Sequence, residues 1–247
     1  MAQKSKQWAA IIMMIALFAM IAFVTNLCSP MATIVKNQFG ASELAGQIGN
    51  YANFIAYLVM GIPSGMLIAK LGYKKTALLA LIVGIVGIVF EYLSGVVGSY
   101  VIYLVGAFIS GLCMCMLNTV VNPLLNVLGG GGKTGNQLIQ IGGAANSAAA
   151  VAVYILMGAL IGEVTKSTGI SDATPALVIA GVIFVIAFVI LLFTKIEEPE
   201  QAKVELSLIT GALKFRQLSL GALAIFLYMS VEVGTPTYMI SYLQTPE

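Results

Sequence analysis

Seven stretches of this sequence run for about twenty residues or more with hardly a charge, and few folds accommodate that pattern. They cover 8–34, 46–69, 77–97, 100–127, 137–161, 175–193 and 217–243. As helices rising about 1.5 Å per residue, such runs cross a hydrocarbon core ~30 Å thick. A membrane β-barrel would instead alternate apolar and polar residues in strands of about ten, and these runs do not alternate. Only 9% of the 247 residues are charged and 60% are hydrophobic, where an ordinary soluble domain is about 25% charged. The expected fold class is therefore an all-α polytopic membrane protein.

The first run is too long, and too polar in its later part, to be a cleaved signal peptide. A net charge of +2 with no basic stripe outside the loops gives no reason to expect nucleic acid. Cys28, Cys113 and Cys115 all fall inside spans, where free thiols behave as small hydrophobes, so no disulfide framework is expected.

Charge sets the orientation. With a cytoplasmic N-terminus, Lys4, Lys6, Lys70, Lys74, Lys75, Lys133, Lys195, Lys203, Lys214 and Arg216 all lie inside, and only Lys36 and Lys166 lie outside. Ten of twelve basic residues thus obey the positive-inside rule. The longest polar segment, 194–216, separates six spans from a seventh and reads as a cytoplasmic linker with a surface helix over 202–213. The expected organisation is a six-helix bundle over 1–194, a linker over 195–215, and a seventh helix over 216–247 that starts a second bundle. A single helix beyond a linker has no bundle of its own to join, so the chain reads as one cut in or just after its seventh span.

Polar residues interrupt the runs in a repeated way. The first span contains Thr25-Asn26-Leu-Cys-Ser29-Pro30 and the fourth Asn118-Thr119-Val-Val-Asn122-Pro123. Both read polar-polar-x-x-polar-Pro, three helices apart. Because successive spans alternate direction, the two groups of three form inverted repeats. Matching proline-interrupted polar positions in such repeats point to a substrate site near the midplane. Taken singly, each proline is a packing kink and each amide is interhelical glue worth about 0.6 kcal/mol; the recurrence favours the site. In the second span Gln47, Asn50, Asn53 and Tyr57 share one helix face, and in the fifth Asn136, Gln140, Gly143 and Ser147 do so. Amides both donate and accept hydrogen bonds, which suits a neutral polyhydroxylated ligand. No basic residue sits mid-span to hold an anion. The expected substrate-binding residues are Asn26, Asn50, Asn53, Asn118, Asn122 and Gln140.

At these residues the chain resembles the major facilitator superfamily, in its fucose–proton symporter branch of fucose, glucose and galactose permeases. Asn118-Thr-Val-Val-Asn122-Pro123 is similar to that branch's Glu-Thr-x-x-Asn-Pro, and Thr25-Asn26-Leu-Cys-Ser29 to its Asn-Asn-Leu-x-Asp. The stretch "GMLIAKLGYKK", 65–75, resembles the superfamily's Gly-x-Leu-x-Asp-Arg-x-Gly-Arg-Lys loop, with Ala69 and Lys70 in place of its Asp and Arg. "YMSVEVGTPTYMISYL" resembles the branch's seventh span. The resemblance implies a twelve-helix fold of 3+3 inverted repeats, of which this chain carries seven helices. It also implies a gating role for Gly65, Lys70, Gly72, Lys74 and Lys75. Ser29 and Asn118 stand where the branch has carboxylates that handle protons, and neither can carry a proton near neutral pH.

Other features invite chemistry less well. "GGGGKTG", 129–135, mimics a phosphate-binding loop, but Val127 stands where the pattern needs glycine and a membrane span precedes it. It reads as a cytoplasmic turn. The chain has no histidine, and Cys113 and Cys115 point to different helix faces, so no metal or cofactor is expected. Glu91 and Glu163 sit near span ends, within reach of headgroups. Glu232 lies mid-span, where a charge costs about 2.5–3.5 kcal/mol on the insertion scale, and is the proton-coupling candidate.

These readings converge on a secondary active transporter of the bacterial inner membrane, monomeric, moving a monosaccharide by alternating access with a proton or sodium as the coupling ion. Two rivals are a drug or other-solute exporter and a non-transporting membrane sensor or assembly subunit. No nucleophile–base pair points to an enzyme.

Overall fold

The structure, a computed structural model, describes residues 8–40, 42–162, 168–196, 198, 211 and 214–243. Seven long helices follow one another: α1 (Trp8–Phe39), α2 (Glu43–Leu71), α3 (Tyr73–Val97), α4 (Tyr100–Leu128), α5 (Gly132–Ile161), α6 (Thr174–Phe193) and α7 (Arg216–Leu243). A 3-10 turn, Ile170–Ala173, leads into α6. No strand occurs among the described residues. Six of these segments, α1 to α5 and the 3-10 turn with α6, are long and apolar enough to cross a membrane; α7 is a helix of 28 residues. The surface helix expected over 202–213 lies outside the described residues except for Gly211, as do Lys4, Lys6, Glu163, Lys166 and Lys203.

The chain divides into two compact units, Met1–Gln201 and Ala202–Glu247. The first holds α1 to α6. In their most apolar eighteen-residue windows, 56%, 11% and 44% of residues are buried in α1, α2 and α3, and 56%, 11% and 33% in α4, α5 and α6. The burial pattern thus repeats after three helices, as the polar-proline motif does. Helices α1 and α4 form the middle of the bundle. Helix α2 packs chiefly on α4, and α5 chiefly on α1, so each repeat lends its second helix to the other's first.

Prolines 30, 63 and 123 all lie inside continuous helices. Pro30 therefore interrupts the apolar run of its span without ending the helix. Proline removes one N–H and leaves free the carbonyl four residues earlier, here of Asn26, Val59 and Thr119. Within a bundle, neighbouring side chains re-satisfy such a group and the helix runs on.

The stretch 65–75, expected as a loop, is corrected by the structure. Helix α2 continues to Leu71, α3 starts at Tyr73, and the link is the single residue Gly72. Its φ of 87° lies where only glycine is comfortable. The glycine run closes the α4–α5 turn, with Gly130, Gly131 and Gly132 all at positive φ. Asn126 Nδ2 donates across that turn to Asn136 Oδ1 at 3.0 Å. A helix rather than a strand precedes it, which leaves the phosphate-loop pattern without its structural setting.

Candidate functional site

Polar side chains that an apolar bundle must place somewhere gather along one seam between α1, α2 and α4. Asn118 Nδ2 donates to the Tyr57 hydroxyl at 3.0 Å, and Thr25 of α1 lies beside the same hydroxyl. The first residue of each copy of the repeated motif, Thr25 and Asn118, therefore meets at one tyrosine of α2. Four residues earlier on α2, the buried Asn53 donates through Nδ2 to Cys28 Sγ at 3.4 Å. Farther along, the fully buried Ser64 hydroxyl donates to Thr119 Oγ1 at 2.9 Å, which donates on to the Cys115 carbonyl at 2.8 Å. Helix α2 can lie this close because Gly111 of α4 sits on its backbone: a Cβ there would fall 2.6 Å from the Asn53 carbonyl oxygen.

Among the described residues, the buried Asn53 Oδ1 lacks a hydrogen-bond partner, and Thr25 Oγ1 has only the Tyr57 hydroxyl beside it. Both belong to this seam. An orphaned buried polar atom costs about 1–3 kcal/mol, so Asn53 Oδ1 leaves unspent hydrogen-bonding capacity there.

The six residues expected to bind substrate are not placed alike. Asn53 and Asn118 are in the seam. Asn122 is half-buried one turn beyond Asn118 and donates to its carbonyl at 3.1 Å. Asn26 is half-buried and donates to Ala22 of its own helix at 2.8 Å. Asn50 is half-buried one turn before Asn53, and Gln140 is exposed on α5. Asn136 and Ser147 are exposed on α5 as well. The side chain of Ser29 lies outside the described residues. Sequence reasoning singled out neither Ser64 nor Asn146, which ties α5 to α1 by donating to the Phe18 carbonyl at 2.8 Å. Ser64 shares a face with Tyr57 at a spacing of seven, a signal that was there to be read.

The acids differ from expectation. Glu91 does not reach headgroups: it is 6% exposed, and the Ser110 hydroxyl of α4 donates to its Oε1 at 2.9 Å. Two glycines let α3 and α4 approach at this point. A Cβ on Gly106 would fall 2.8 Å from Glu91 N, and one on Gly87 would fall 2.8 Å from Ser110 N. Glu232 is thus not alone as a carboxyl deep in the spans. It is exposed within the second unit and interacts with Tyr228 one turn earlier on α7.

At the other end of α3 a carboxylate serves as a cap. Glu198 accepts the Tyr73 N–H at 3.0 Å through Oε2 and the Lys74 N–H at 2.9 Å through Oε1. Lys74 Nζ in turn donates to the carbonyls of Leu192 and Thr194, at 2.9 and 2.8 Å, at the C-terminus of α6. Each charge lies at the helix end whose dipole favours it. Of the other residues expected to gate, Gly65 is half-buried within α2, and Lys70 and Lys75 are exposed.

The family model of the Major Facilitator Superfamily matches residues 12–246. A glucose/galactose transporter of Brucella abortus is 24% identical over 236 residues, covering 93% of this chain and 57% of that protein. The L-fucose-proton symporter of Escherichia coli is 22% identical over 253 residues, covering 92% and 58%. The chain thus spans somewhat under two thirds of the length of these relatives. The crystal structure of the E. coli fucose:proton symporter in the outward conformation matches with a TM-score of 0.79 at 18% identity, covering 97% of this chain and 64% of that one. A substituted form of the same symporter matches with a TM-score of 0.77 at 20% identity. The fold is therefore that of these transporters, and the chain is a multi-pass membrane protein.

Proposed function

The chain belongs to the Major Facilitator Superfamily, and from that premise we propose that it supplies the first bundle, and the start of the second, of a secondary transporter for a neutral monosaccharide. The observation that carries the reading is the orphaned Asn53 Oδ1, beside the Thr25–Tyr57–Asn118 junction, in a seam otherwise built of neutral donors and acceptors. A hydroxyl group of a sugar can donate to it, and among the described residues of the seam no cation is at hand to select an anion. Asn53 and Asn118 hold the centre of the site, with Asn26, Asn50, Asn122 and Gln140 reaching it in other states of an alternating-access cycle. The protein sits in a bacterial inner membrane as a monomer with its N-terminus in the cytoplasm. A proton is the coupling ion, sodium the rival, and Glu232 with Tyr228 is the proposed loading point.

The test is thermal stabilisation of the purified full-length protein by D-glucose, D-galactose and L-fucose, followed by uptake into proteoliposomes. A bound sugar raises the unfolding temperature by mass action. Asn122→Leu should abolish that shift without preventing membrane insertion, and Glu232→Gln should keep sugar exchange while losing accumulation driven by a pH gradient. No stabilisation by any of the three, with export of an apolar compound instead, would replace the sugar reading by the exporter one.

A further inference from the structure

Glu91 is the one carboxyl between Glu43 and Glu163, and no Lys or Arg occurs between Lys75 and Lys133. It is buried between α3 and α4, and its carboxyl accepts from the Ser110 hydroxyl. The groups that face it are few. Helix α4 contributes Ser110 and Tyr103, the latter fully buried and next to Tyr100, and α1 contributes Cys28. Helix α6 carries no titratable residue at all. Asp172 of the 3-10 turn is exposed and accepts the Gly169 N–H at 2.9 Å. A carboxylate at this place would be a buried charge with a hydroxyl donor and, among the described residues, no cation against it. A protonated carboxyl needs no counter-charge.

The obvious alternative is that the pair is simple glue between helices. The repeat gives no support to it. Leu17, the place in α1 that the 93-residue offset of the two motif-bearing helices gives for Ser110, is buried hydrocarbon, so the first helix of a repeat does not require a hydroxyl there. Nor is the pair isolated from the seam. Ser110 touches Glu91, and the next residue of α4, Gly111, rests on the backbone of Asn53. One turn of α4 is thus clamped between the acid and an asparagine with an orphaned oxygen.

We propose that Glu91 is a proton-binding site, and that its protonation state sets how α4 seats between α3 and α2 and hence how well the seam binds its solute. With the proton on, α3 and α4 close over a neutral pair. With the proton off, the charge pushes the Glu91–Ser110 crossing apart and Gly111 shifts against Asn53. Solute binding is therefore strong at low pH and weakens as pH rises through the titration of Glu91. The second half of this statement rests on the transporter reading; the first does not.

Two readouts keep the two apart. In infrared difference spectra of the full-length protein across a pH titration, the wild type should show the carbonyl band of a protonated carboxyl that disappears at high pH, and Glu91→Gln should lack it. In proteoliposomes, equilibrium exchange of D-glucose, D-galactose or L-fucose should fall with rising pH in the wild type, and Glu91→Gln should lose that fall. No carbonyl component lost between the wild type and Glu91→Gln, a wild type without a titrating carboxyl band, or an unchanged exchange profile in Glu91→Gln overturns the proposal. If no sugar is exchanged but the band behaves as stated, the transporter reading fails and the proton site stands. Should Glu91→Gln not fold, Ser110→Ala takes its place: it removes a donor to the carboxyl and should shift the band's titration, and an unshifted band overturns the proposal equally.

Discussion

Replacing Gly106 by alanine adds a single methyl group at the α3–α4 crossing, and the consequences can be worked out from what that methyl would meet. Its three nearest neighbours would be Glu91 Cγ at 2.8 Å, Glu91 N at 2.8 Å and the Gly87 carbonyl oxygen at 3.1 Å. Two of the three are main-chain atoms, which cannot rotate away, so the helices themselves must part. Overpacking costs about 1–3 kcal/mol, and immovable backbone puts this case near the upper end. Against it stands the gain from replacing a helical glycine by alanine, about 1 kcal/mol. The net loss is about 2 kcal/mol, which in a domain of this size lowers the unfolding temperature by about 4–8 °C. The control is Gly181→Ala on α6, where the new Cβ would meet only Ile88 Cγ2, at an ordinary 3.8 Å. There the helix-propensity gain is unopposed, and the temperature should hold or rise. The assay is thermal unfolding of the full-length protein in mild detergent, with both variants measured beside the wild type. If Gly106→Ala is as stable as Gly181→Ala, the close crossing of α3 and α4 that underlies the burial of Glu91 is wrong.

Asn118→Leu should remove the donor to the Tyr57 hydroxyl and leave that hydroxyl short of a partner in the seam, at about 1–3 kcal/mol; a Tyr57→Phe background should relieve most of this loss, and equal losses in both backgrounds would mean the two side chains do not interact. Glu198→Ala strips the cap from α3, worth about 0.5–2 kcal/mol at a helix N-terminus. Hydrogen exchange at Tyr73 and Lys74 should quicken while the middle of α3 stays protected, and unchanged exchange there would refute the cap. Asn146→Leu should weaken the α5–α1 contact at the Phe18 carbonyl without altering the Thr25–Tyr57–Asn118 junction, which unfolding measured with and without Asn118→Leu would reveal as additive losses.

Hydrophobicity alone placed the first six spans, because a run with hardly a charge has one low-energy environment and its length fixes what it can cross. The ends were less legible. Helix α1 runs on from residue 34 to Phe39, and α2 to Leu71, since polar residues stay helical in the headgroup region where composition no longer distinguishes helix from loop. The seam was half visible. Asn53 and Tyr57 followed from their shared face, but nothing in the spacing said that Thr25 rather than Asn26 would meet Asn118 across Tyr57. That depends on how far α1 is rotated about its axis, which neighbours decide. Glu91 was misjudged for a similar reason. Its place near the end of the span suggested escape to the surface, yet a side chain escapes only if its face is open. Gly84, Gly87, Glu91 and Ser94 recur at helical spacing along one stripe of α3, and a stripe of small residues is the mark of a closely packed membrane helix face. That stripe was the available signal.

The repeat also explains why symmetry misleads about packing. The polar-proline motif recurs, and so does the exchange of α2 and α5 between halves, but the crossing of α3 on α4 is far more extensive than that of α6 on α1. The 93-residue offset carries Met13 to Gly106 and Phe18 to Gly111, and α1 contains no glycine at all. Met13 is buried and Phe18 partly so, each filling space that α4 leaves to a neighbouring backbone. Helix α4 is consequently gripped on two sides through main-chain contacts, on α3 at Gly106 and on α2 at Gly111, whereas the main chain of α1 meets a glycine less closely, at the Ala32 carbonyl 3.1 Å from where a Cβ on Gly46 would fall. The two copies of the motif are therefore alike in what they present to the seam and unlike in how firmly they are held. The carboxyl at the tighter of the two crossings is placed where a change of charge must be felt by backbone, and through one turn of α4, by Asn53.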